Sequence, residues 1–172
     1  MSRTALVPTL LFMSIALSDA AAQRRTPEHQ TPKDSVGGQF DVTARLGSKT
    51  YSSSLPGSCK YEPSGSIYDV PAALWLIEGS GSERSDIKQL NLTLWRPKNG
   101  SADQISLFID TGAGAHRIEL SPRRKPSGSA TVRLQPQGPG GTLELSGKDS
   151  SGVTVNLRIS CPMFEAVEAA GG

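Results

Sequence analysis

Cysteine, histidine and aromatic side chains are all scarce here: 172 residues hold two Cys, two His, two Trp, three Tyr and four Phe. His29 falls in a polar stretch that cannot bury anything, which leaves His116 as the one histidine of the foldable region. A histidine-rich metal site is therefore excluded, and neither a metal nor another cofactor is called for. With no Cys-x-x-Cys spacing, a redox pair is excluded too. Charge of one sign is also missing. Eighteen Lys and Arg against sixteen Asp and Glu leave a net +2, interspersed along the chain. No global field recruits nucleic acid or an anionic membrane. Nothing between residues 37 and 161 repeats with a helical period.

What is present begins at the N-terminus. Met1, Ser2 and Arg3 give a short positive start, residues 4–17 are mostly apolar, and Ser18, Asp19, Ala20, Ala21 and Ala22 follow. That order is the secretory signal pattern, with cleavage after Ala20 or Ala22. The apolar run is shorter than the roughly 20 residues a spanning helix needs, so no integral span is expected after cleavage. The sequence thus predicts a signal peptide over 1–22, a disordered leader over 23–36 and an exported protein, periplasmic or extracellular. In an oxidising compartment two cysteines most simply pair. A bond between Cys59 and Cys161 would close a loop of about 100 residues and stabilise by roughly 4.7 kcal/mol in the chain-entropy model.

The folded part reads as strands and turns. From Val153 to Cys161 every odd position is apolar and every even one polar, which puts Val153, Val155, Leu157, Ile159 and Cys161 on one face. Phe40, Val42, Ala44 and Leu46 alternate in the same way, as do Leu90, Leu92 and Leu94, then Ile105, Leu107 and Ile109, then Ala130, Val132 and Leu134. Residues 72–78 form a continuous apolar run, expected to be covered on both faces. The Ser-rich stretch 51–57 reads as a loop or irregular edge strand, and residues 63–66 as a break. Asn99 and Gly100 mark a hairpin. The count is eight or nine short strands, the pattern of an all-β antiparallel sandwich or barrel of the immunoglobulin-like or jelly-roll kind. The domain is expected over 37–164, with a flexible tail over 165–172.

Candidate chemistry is sparse. Ile109, Asp110, Thr111, Gly112 and Ala113 form a hydrophobic pair followed by Asp-Thr-Gly-Ala. The segment resembles the active-site loop of retropepsin-like aspartic peptidases, and the Gly-Pro-Gly-Gly at 138–141 stands where that family's flap would be. The resemblance implies a homodimer in which two copies of Asp110 share a proton and activate water. It covers about a dozen residues, and the family's second hydrophobic-hydrophobic-Gly segment has only Leu145, Ser146 and Gly147 as its counterpart. An ordinary turn uses the same residues, because Asp caps it and Gly supplies positive φ.

Two surface features remain. Pro122, Arg123, Arg124, Lys125 and Pro126 make a compact basic loop, either solvated or facing an acidic envelope partner. Trp95 and Phe108 lie opposite the leucines and, joined by Trp75, would form an aromatic platform for a sugar or apolar ligand. Burial of these rings as core is the competing reading. The expectation is an exported, non-catalytic binding or envelope-associated module, with an aspartic peptidase using Asp110, Thr111 and Gly112 as the alternative.

Overall fold

Strands with one apolar face must bury that face, and a lone sheet does so by curling around it. The computed structural model describes residues 38–167. The expected signal peptide and leader lie outside them, as do residues 168–172 of the tail. The strands are β1 (Gln39–Leu46), β2 (Lys49–Ile67), β3 (Val70–Ser80), β4 (Gln89–Pro97), β5 (Gln104–Asp110), β6 (Ala115–Leu120), β7 (Ser129–Gln137), β8 (Gly140–Lys148), β9 (Thr154–Cys161) and β10 (Glu165–Ala166). Nine of them join in the order β6-β5-β4-β3-β2-β1-β9-β8-β7. All eight of these pairings are antiparallel. The sheet is curled as a half-barrel. No helix among the described residues is long and apolar enough to cross a membrane.

One core fills the concave side. Phe40, Val42 and Ala44 from β1 meet Leu55, Ile77, Leu90, Leu92, Leu107, Ile118, Leu143, Val155 and Ile159, all at most 2% exposed. The alternation of β1 and β9 is complete, exposed and buried positions changing at every residue. Gly79 makes room for one large side chain. A Cβ there would stand 2.7 Å from the Phe40 ring, so the ring lies against bare backbone.

β2 departs most from the sequence reading. The Ser-rich stretch is its first half, and the strand continues for 19 residues. Serine is a poor strand former alone. The Ser-rich half is held as a strand by pairing with β1 through Pro56, and the second half pairs with β3 from Gly57 onward. The expected break at 63–66 is a β-bulge between Glu62 and Gly65, after which pairing with β3 resumes. β2 and β3 then turn over at Tyr68 and Asp69, both with positive φ (51° and 64°). Strand β3 is buried on both sides as expected, but by a different means. Ala73, Trp75 and Ile77 face the core, whereas Ala72 and Leu74 are covered on the convex side by neighbours such as Trp95.

The disulfide Cys59–Cys161 forms, joining residues 102 apart in sequence with Cα atoms 6.1 Å apart. Its place explains its use. β1 begins at Gln39 opposite Pro56, so Cys59 lies on the part of β2 that runs on past β1, whereas Cys161 ends β9 next to Ser160, the partner of Asp41. The bond thus ties the last residue of β9 to β2 just beyond the start of β1. Beyond it β10 takes β1's place beside β2, pairing Glu165 with Lys60 and Ala166 with Tyr61 in parallel. The first residues of the expected tail are thus part of the sheet.

Candidate functional site

The two outermost strands, β6 and β7, are consecutive in the chain, and one isolated bridge joins β6 to the loop just before β7. The Glu119 N–H donates to the Ser127 carbonyl (2.8 Å) and the Ser127 N–H to that of Glu119 (2.9 Å). Two further contacts from the β8–β9 turn hold the β6 edge. The Ser150 N–H donates to the Arg117 carbonyl at 3.1 Å, and His116 Nδ1 lies 2.6 Å from Asp149 Oδ2. Among the described residues, β7 has no strand partner on its other edge. Its inward side chains Ala130, Val132 and Leu134 are only half-buried.

This unclosed seam holds a cavity of about 760 Å³. Its walls are Ile67, Val70, Leu120, Pro97, Ala130 and Val132, with Tyr68 and the exposed basic loop at its mouth. That volume lies within the usual range for small-molecule sites, and the lining is predominantly apolar as such sites require. Two polar features order it. Arg96, on β4, makes a forked contact with Asp103 (Nη2 to Oδ2 2.7 Å, Nε to Oδ1 3.0 Å). The same Nη2 donates to the Val132 carbonyl at 3.1 Å, tying β4 to the free edge of β7. The hydrogen bonds to Asp103 hold the Arg96 guanidinium above its ordinary pKa, against the opposing effect of burial.

The second feature is the strained turn. A bulky residue with φ of 51° is held in an unfavourable region by its surroundings. Here the Tyr68 ring lies under the Arg123 guanidinium, 3.7 Å from its centre, with the hydroxyl 3.5 Å from Ser121 Oγ. A second cavity of about 270 Å³ lies farther along β7. Tyr61, Trp75 and Phe164 wall it on one side and Leu134, Pro136 and Pro139 on the other. Tyr61 and Trp75 are stacked, ring centres 4.8 Å apart, and Arg96 stands 5.8 Å from Trp75. Arg96 therefore touches the walls of both cavities.

The residues singled out from sequence are dispersed. Trp75 is on the concave side, 9% exposed, and faces the smaller cavity. Trp95 and Phe108 are half-buried on the convex side, paired with Gln104 and Asn91 respectively. Four residue steps separate them, roughly 13 Å at 3.3 Å per residue. The Arg117 guanidinium covers Phe108 at 4.3 Å. The three rings thus share no surface.

Asp110 closes the β5–β6 hairpin. Its Oδ1 accepts the Gly112 N–H at 2.8 Å, Thr111 Oγ1 donates to the Gly114 carbonyl at 3.3 Å, and Gly112 takes φ of 73°. The residues do there what a turn asks of them. His116 is joined to Asp149, not Asp110. Tyr68, Arg96, Asp103 and Asp149 had no signal in the sequence, because their partners lie in distant turns. The basic loop did. Among the described residues no cluster of His, Cys, Asp and Glu is placed to hold a metal ion. Comparison with family models, with curated proteins and with solved structures returned no match.

Proposed function

We propose that this is an exported, non-catalytic binding module that holds a small ligand with an apolar body in the seam between β7 and the β2–β3, β4–β5 and β6–β7 turns. One observation carries the reading. The sheet stops short of closing, and an apolar cavity of about 760 Å³ lies at that place. In fold terms we read the sheet as an incompletely closed barrel and not a two-layer sandwich, supported by the Glu119–Ser127 bridge, which joins β6 to the loop leading into β7. The disulfide supports an oxidising compartment, periplasmic or extracellular, as does the signal-like start.

An environment-sensitive apolar dye, N-phenyl-1-naphthylamine, tests the reading. Its fluorescence is expected to rise and saturate with the protein, and Val132→Trp, which fills the cavity, is expected to abolish the rise. A dye response that does not saturate, or one that Val132→Trp leaves unchanged, contradicts it.

A further inference from the structure

We infer that the ligand of this seam is a single-chain amphiphile with an anionic head, its tail in the cavity and its head on Arg123. The inference rests on the cavity reading above and adds the chemical class. The walls supply the first half of the argument, since Ile67, Val70, Leu120, Ala130 and Val132 make the lining mainly apolar, with Ser101, Gln104 and Thr131 as minor polar contributors.

The mouth supplies the second half. Arg123, Arg124 and Lys125 are consecutive and exposed, on the loop whose flanking Pro122 and Pro126 themselves line the cavity. A free arginine side chain pays rotamer entropy to meet an anion. Arg123 has already been placed, stacked on Tyr68 at 3.7 Å. Tyr68 is in turn held at positive φ, a conformation that costs stability and that clusters where ligands are clamped. Three acids lie near the loop, Glu119 among them, its backbone bridged to Ser127 at the loop's base. Asp103 is neutralised by its forked contact with Arg96, and exposed Asp69 sits in the hairpin turn against three cations. The balance at the mouth is cationic, so a carboxylate, sulfate or phosphate head is favoured and an ammonium head is opposed.

The test is a calorimetric comparison of decanoate, decanol and decyltrimethylammonium, all below their aggregation limits, on the full chain. Decanoate is expected to bind roughly tenfold or more tighter than decanol, as one charge-assisted hydrogen bond provides, and the ammonium weakest. From octanoate to decanoate the affinity should rise about fourfold per methylene. Replacing Arg123, Arg124 and Lys125 together by Gln should bring decanoate down to the level of decanol and leave decanol unchanged. Equal affinity for all three heads, or a triple variant that still prefers decanoate, overturns the anionic head while the cavity reading stands. No binding of any of the three, or binding that survives both Val132→Trp and Ala130→Phe, overturns the cavity reading itself. Adsorption to anionic vesicles without uptake of monomeric decanoate overturns the inference in favour of a membrane-surface role.

Discussion

Asp149 is 5% exposed, yet it stands in the ionised form at neutral pH because three donors converge on it. Burial alone would push its pKa up. The contact with His116 and the N–H groups of Val153 and Ser151, each donating to Oδ1 at 2.8 Å, outweigh that and leave it below the ordinary carboxylate value. A carboxyl whose folded pKa is depressed adds stability that is fully present above its unfolded value, about 3.9, and is lost as pH falls through the folded one. The melting temperature of the native protein should therefore fall steeply below about pH 4, and Asp149→Asn should fall less steeply over the same window. Parallel acid limbs would contradict this. At pH 7, Asp149→Ala should cost about 3 kcal/mol in denaturant unfolding, since a network with a charged acceptor is removed. Asp110 has a smaller task. Asp110→Ala loses one turn hydrogen bond, and about 1 kcal/mol is expected.

The β2–β3 hairpin and strand β7 are the two pieces that turn a plain sheet into a site. Two-residue turns with both φ positive favour Asn-Gly, and here the positions are Tyr68 and Asp69. Asp69→Gly removes a side chain from the left-handed region and should stabilise the protein by about 1 kcal/mol while leaving Tyr68 stacked on Arg123. A destabilised variant would show that Asp69 makes contacts that matter more than its backbone strain. The strands themselves were legible wherever alternation was strict, as in β1, β4, β5 and β9. β2 was not, because serine and proline carry no periodic signal and its backbone is fixed by β1 along its first half and by β3 along its second. The site was legible only through the basic loop. Arg96 reaches a carbonyl 36 residues onward, and Arg123 reaches back to Tyr68 across a whole hairpin run. Spacing along a chain does not encode such meetings.

For the molecule as a whole, the decisive fact is that a single sheet has to enclose its own core. It is held at two places: the disulfide, which ties the end of β9 to β2 beside the start of β1, and the Glu119–Ser127 bridge with the Asp149 turn. The pairing of Cys59 with Cys161 was readable from their count and from the inward face Cys161 occupies. The curl was not, because alternating strands describe a sandwich and a barrel equally well. Replacing both cysteines by serine should cost about 2–4 kcal/mol in denaturant unfolding, and an unchanged midpoint would mean that the clasp is ornamental. Between these fastenings lies the open seam along β7, and it is there that we propose a ligand binds. Methyl-resolved NMR during titration with N-phenyl-1-naphthylamine reads that placement directly. Saturable shifts are expected at Ile67, Val70, Leu120, Ala130 and Val132, with Val155, Leu157 and Ile159 of β9 unmoved. Shifts confined to Leu74 and Leu76 beside Trp95 on the convex face, or none that saturate, would contradict it.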